Sequence, residues 1–312
     1  MRSFRSSVLG ASLLALALTA AACGQDEAGG GGQVGGEEKG SLTVGAVAFA
    51  ENQIVAEMYA QVLEDAAYEV ERQLTLDSRE VLQPAIESGE IDLAPEYLSS
   101  LLLFLDPDAE TSGDPEEVRA TLEPLLEEKG QTLLESAPAS DTNALVITPV
   151  TANDFSPTGS PIAKTSDLAP VADRMTLGAP PECPERPFCI PGFKRVYGIE
   201  FGDFKPLDVG GPLTVEALEQ GEIDVALLFS TSGVIADKGW VVLEDDKGLQ
   251  AAEHITPVVR TEVLDEEITT LLNEVSATLT DELITELNGR VEIGGEDPAT
   301  VATEFLTDQG LL

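Results

Sequence analysis

The chain has 312 residues, with 57 acids against 17 bases, a net charge of −40 and 43% hydrophobic residues. So acidic a surface excludes nucleic acid and anionic lipid headgroups as partners, because both are held by clustered Lys and Arg. The apolar fraction suffices for one large or two medium domains, each with its own core.

Residues 1–22 read as an export signal: Arg2 and Arg5 precede an uncharged run over residues 8–18, and Ala20, Ala21 and Ala22 lead to Cys23. That run is too short to span a bilayer. A cysteine directly after such a small-residue site is a lipidation point, which implies a mature chain anchored on the extracytoplasmic face of the cell membrane. The alternative is an ordinary secreted protein with a chance cysteine. Residues 23–40 are glycine-rich with almost nothing to bury, and read as a flexible tether without contact to the folded part.

From Ser41 onward, strands are expected at residues 42–49, 144–148, 224–229 and 255–259. Helices are clearest at 52–66, where Ile54, Val55, Met58, Tyr59, Val62 and Leu63 make one apolar face, and at 266–278. Alternating helices and strands argue for mostly parallel sheets of the α/β kind. Tyr59 and Tyr197 fall on helical patterns and read as packing residues.

One internal repeat is present. Ala85-Ile86-Glu87-Ser88-Gly89-Glu90-Ile91-Asp92-Leu93-Ala94 returns 132 residues later as Ala217-Leu218-Glu219-Gln220-Gly221-Glu222-Ile223-Asp224-Val225-Ala226. Each copy reads as the end of a helix, a glycine C-cap and a short buried strand. The same offset sets Tyr97 opposite Phe229. Ligands of open α/β sheets sit beyond the C-terminal strand ends, so each lobe is expected to present one ring at a shared cleft.

Cys183 and Cys189 lie in Pro-Glu-Cys-Pro-Glu-Arg-Pro-Phe-Cys, and in an exported chain so close a pair is expected to form a disulfide. Zinc is disfavoured, since His254 is the sole histidine and is remote in sequence. Nucleophile elbow, metal-ligand cluster and phosphate loop are all missing from the sequence, so neither an enzyme nor a cofactor is expected.

The chain resembles the glycine betaine, choline and carnitine binding proteins of osmoprotectant ABC importers over nearly all of residues 41–312. The resemblance is carried by Phe49-Ala50-Glu51, by Glu57-Met58-Tyr59, by Ser88-Gly89-Glu90-Ile91-Asp92-Leu93 running into Pro95-Glu96-Tyr97, and by Thr165-Ser166-Asp167-Leu168-Ala169. Val196-Tyr197-Gly198-Ile199-Glu200-Phe201, Leu243-Glu244-Asp245-Asp246-Lys247-Gly248, Phe305-Leu306 and Gly310-Leu311 continue it in order. The resemblance implies a two-lobed type II periplasmic-binding-protein fold, with residues 41–140 plus 252–312 as one lobe, 141–251 as the other, and a hinge of two crossovers. It implies a monomer that hands a small solute to permease subunits and meets the membrane through its lipid anchor only. It also implies an aromatic box for a quaternary ammonium head, held by cation–π contacts.

Carried over by position, the ligand residues are Tyr97 and Phe229, the crossover acid Asp141, and Arg186 as the carboxylate clamp. Phe49, Ser100, Asn143 and His254 complete the candidate set. Leu98-Ser99-Ser100 stands where the family has Thr-Gly-Thr, Asn143 where a second Tyr is usual, Ser232 where Asp is usual, and Glu253 or His254 at the second crossover. At least two box walls are therefore not aromatic, which leaves betaine, another cation or a polar amine as ligand, and leaves a solute-sensing lipoprotein without transport as the rival function. The acidity itself is read either as adaptation to external salt or as steering of a cationic ligand.

Overall fold

The computed structural model describes residues 39–157 and 159–312; the signal segment, Cys23 and most of the tether lie outside them. The first segment runs β1 (Ser41–Val47), α1 (Ala50–Asp65), β2 (Glu69–Leu76), α2 (Arg79–Ser88), β3 (Leu93–Tyr97), α3 (Leu98–Leu105), α4 (Pro115–Glu127) and β4 (Gln131–Leu133). The chain then crosses to β5 (Asn143–Ile147), α5 (Pro149–Asp154), β6 (Thr176–Ala179), the single turn α6 (Ile190–Gly192), β7 (Asp203–Pro206), α7 (Pro212–Glu219), β8 (Val225–Phe229), α8 (Gly233–Lys238) and β9 (Val241–Val242). It returns as β10 (Ile255–Arg260), α9 (Glu266–Thr278), α10 (Asp281–Glu292) and α11 (Pro298–Gln309).

Two five-stranded sheets result, ordered β2-β1-β3-β10-β4 and β7-β6-β8-β5-β9. In each, three parallel strands continue into two that pair antiparallel: β10 against β3 and β4 in the first, β5 against β8 and β9 in the second. This is the two-lobed α/β architecture expected. The first sheet is backed by α1, whose predicted apolar face is fully buried together with Leu272 and Val275 of α9, Ile284 of α10, and Val301 and Leu306 of α11. Separate apolar clusters fill the second, the larger built around Leu145, Leu177, Val225 and Leu227.

The repeat has a physical cause that is the same in both lobes. Gly89 and Gly221 end their helices with φ of +78° and +69°, a conformation glycine adopts freely. Ile91 and Ile223 then press on glycines of the neighbouring strand: a Cβ on Gly45 would lie 2.6 Å from Ile91, and one on Gly178 2.4 Å from Ile223. Asp92 and Asp224 accept the backbone N–H of Thr43 and Thr176 at 2.8 and 2.9 Å, tying each helix exit to the neighbouring parallel strand, β1 or β6.

The two crossovers hydrogen-bond to each other, with Asp141 N–H donating to the Glu253 carbonyl at 3.0 Å and Ser140 bridging to His254. Cys183 and Cys189 are disulfide-bonded, with Cα atoms 5.3 Å apart. Tyr59 and Tyr197 are buried, as expected of packing residues. The tether is not free of contact at its end: Lys39 pairs with Glu267 at 2.6 Å and lies 5.4 Å from the centre of the Tyr68 ring. A cation beside an acid and an aromatic face has a favourable place to settle, which the glycine content of the tether did not foretell.

Candidate functional site

Tyr97 ends β3 and Phe229 ends β8, and each is the last residue in register with an antiparallel neighbour, Tyr97 with Ile255 and Phe229 with Asn143. The repeat offset therefore marks equivalent strand ends. Phe49, the residue before α1, stands between them: its ring centre is 6.1 Å from that of Tyr97 and 4.9 Å from that of Phe229. Three rings drawn from both lobes thus stand together in the wall of a cleft of about 970 Å³, counted out to its open mouth.

Seven of the eight residues chosen from sequence line this cleft: Tyr97, Phe229, Asp141, Arg186, Phe49, Ser100 and Asn143. His254 does not. Its Nδ1 sits 2.8 Å from the Ala137 carbonyl, outside the cleft, and its neighbour Glu253 takes the inward place. Successive side chains of extended backbone point to opposite sides, so only one of this pair can face in.

The cleft is more charged than the sequence suggested. Arg79 and Glu96 form a buried bidentate pair, Nε to Oε1 at 3.0 Å and Nη2 to Oε2 at 2.7 Å. Glu253 accepts the Ser100 hydroxyl at 2.6 Å and the Ser100 N–H at 3.1 Å, and burial pushes its carboxyl up to about 7. Asp141 accepts from Ser230 Oγ and Thr231 N–H, both at 3.2 Å, while burial and the neighbouring Glu51 carboxylate push it well above the usual carboxylate range. Burial also raises the Glu182 carboxyl.

Arg186 lies over the Phe104 ring at 5.5 Å and reaches from the disulfide loop to Glu80 of α2, at 2.9 Å. Its Nε is buried without a partner, and burial together with Arg79 lowers the guanidinium pKa. Ser100 and Phe104, four residues apart on one face of α3, line the cleft together with Tyr97, the residue that caps the helix. Phe104 and Phe188 are aromatic walls missed from the sequence, as were Arg79, Glu96 and Glu182. The i+7 spacing from Tyr97 was a usable signal for Phe104; the Arg79–Glu96 pair is formed across seventeen residues and has no local signature.

A family model described as the substrate binding domain of ABC-type glycine betaine transport system matches residues 40–308. The chain belongs to that family. Among curated relatives, this substrate-binding domain is 28% identical over 278 residues to the carnitine transport binding protein OpuCC of Listeria monocytogenes, covering 88% of each chain. It is 27% identical over 278 residues to the glycine betaine-binding protein YehZ of Escherichia coli, covering 86% of this chain and 90% of the other. A crystal structure titled as a glycine betaine/carnitine/choline ABC transporter superposes with a TM-score of 0.66 at 26% identity, over 86% of this chain and 99% of that one. These relatives are transport binding proteins, not enzymes, and the substrate-binding domain shares with them a mixed α/β fold of two lobes.

Proposed function

We propose that the chain is the lipid-anchored, extracytoplasmic capture subunit of an ABC importer, taking up a quaternary ammonium osmoprotectant such as glycine betaine or choline and delivering it, as a monomer, to permease subunits. The observation that carries this reading is the grouping of Phe49, Tyr97 and Phe229 with the buried acid Asp141 in the wall of the cleft. A methylated ammonium head has no hydrogen to donate, so aromatic faces replace its water at little cost, and a nearby carboxylate supplies the opposite charge. Arg186, also in the cleft wall, suits a ligand carboxylate by bidentate pairing. In this reading residues 41–140 plus 252–312 form one lobe, residues 141–251 the other, and the paired crossovers at Asp141 and Glu253 act as the hinge on which ligand closes them. Cys23 carries the lipid.

Titration calorimetry with glycine betaine, choline and carnitine tests it. Tyr97→Ala and Phe229→Ala are each expected to weaken the preferred ligand by about two- to thirty-fold, each ring being worth roughly 0.5 to 2 kcal/mol to a desolvated cation. Wild-type protein that binds none of the three, or ring variants that bind as wild type does, would overturn the reading.

A further inference from the structure

Glu51, in the first turn of α1, is 2% exposed, and three donors converge on its carboxylate. Tyr97 Oη donates to Oε1 at 2.8 Å, Thr231 Oγ1 to Oε2 at 2.6 Å, and Asn288 Nδ2 to Oε2 at 3.0 Å. Tyr97 and Asn288 come from the side of the first sheet, whereas Thr231 follows β8 of the second. Thr231 also gives its backbone N–H to Asp141, so it stands between two buried carboxylates. A single acid thus touches a cleft-wall ring, a residue of the other lobe and the C-terminal helices.

Among the described residues, no Lys or Arg forms an ion pair with Glu51 or Asp141. Asp141 of the first crossover and Asp281 and Glu292 of α10 act electrostatically on Glu51, and all three are acids. Tyr97 faces it as a neutral phenol, its ionisation pushed far up by burial and by the Glu51 and Asp141 carboxyls. Two ionised carboxylates in one buried site without a cation are costly, and the usual outcome is that a proton stays on the pair.

We infer that the cationic head of the ligand is the missing counter-charge of the Glu51–Asp141 pair, and that it replaces a proton there when it binds. This deepens the functional reading above and rests on it. Asp141 meets the ligand at the cleft wall. Glu51 is a positioning residue: it holds the Tyr97 ring by the phenol and holds Thr231 of the facing lobe by the hydroxyl, so the ionised form that the ligand favours is also the form that ties the lobes together. The balance is one cation in and one proton out to the buffer. Affinity for a cationic ligand therefore rises with pH below the raised titration range of the pair, by at most tenfold per pH unit for one proton.

Calorimetry of the full chain with choline, in buffers of different ionisation enthalpy between about pH 5 and 8, reads the proton count directly. The expected result is net proton release that fades as pH rises, and none with the uncharged tert-butyl analogue of choline. Glu51→Gln keeps the side-chain volume and mimics the protonated carboxyl, with one acceptor oxygen, but cannot release a proton. It is expected to flatten the pH dependence and to bind choline about tenfold more weakly at the upper end, while converging on wild type at the lower end. Because proton release is measured on wild-type protein, a poorly folded variant does not rescue the idea. Choline binding with no proton release across the range overturns this inference alone, as does a Glu51→Gln profile that parallels wild type. Failure of every quaternary ammonium ligand to bind overturns the functional reading and this inference together.

Discussion

Glu253→Gln isolates the cost of holding a charge at the second crossover. The Glu253 carboxyl is buried, is held by both donors of Ser100, and titrates at about 7 against an ordinary glutamate value near 4.5. A carboxyl whose value is raised on folding binds its proton more tightly in the folded chain. Its contribution to stability is fully present below about 4.5 and is lost as the pH rises through about 7. Over that span the loss amounts to about 3 kcal/mol, at 1.36 kcal/mol per unit. Glutamine preserves the volume but leaves Ser100 with one acceptor fewer, which costs about 1 kcal/mol at every pH. The variant is therefore expected to be less stable than wild type by about 1 kcal/mol near pH 4 and more stable by about 2 kcal/mol near pH 8, changing sign at about pH 5 to 6. Urea unfolding at the two ends, with slopes compared to verify two-state behaviour, gives both values. A difference of the same sign and size at both pH values would refute the reasoning.

Arg186→Ala is expected to weaken glycine betaine, which carries a carboxylate, by about tenfold or more while changing choline binding far less; equal losses for both ligands would show that Arg186 serves the Glu80 contact across the cleft instead. With a net charge of −40, the chain is expected to melt at a higher temperature in molar salt than in dilute buffer, because screening relieves self-repulsion. A melting temperature indifferent to salt would remove the case for a saline adaptation.

The parts of the fold that were legible in the sequence are those whose causes are local. The Gly-Glu-Ile-Asp repeat is readable because a left-handed cap, an isoleucine that needs a glycine opposite and an aspartate that caps a neighbouring strand all fall within four residues. Counting forward from it reaches Tyr97 and Phe229, the ends of equivalent strands. Helix α9 was expected at residues 266–278 and spans them, since Asp265 caps the Ile268 N–H just ahead of a regular apolar period. What stayed hidden depends on distant segments meeting. Glu51 reads as an ordinary first-turn acid of a helix until Thr231 and Asn288, 180 and 237 residues away, fold onto it. The choice between Glu253 and His254 turned on which side of an extended crossover faced in, and neighbouring positions on such a strand carry no hydropathy contrast strong enough to decide it.

The disulfide has a consequence for when the molecule can work, beyond how firmly it holds together. Five residues of the ring it closes, Cys183, Arg186, Pro187, Phe188 and Cys189, are walls of the cleft. Thiols stay reduced in the cytosol and are oxidised beyond the membrane. On the proposed export, the loop that carries Arg186 is tied only after the chain has left the cytosol, so reduction is expected to loosen that wall of the cleft.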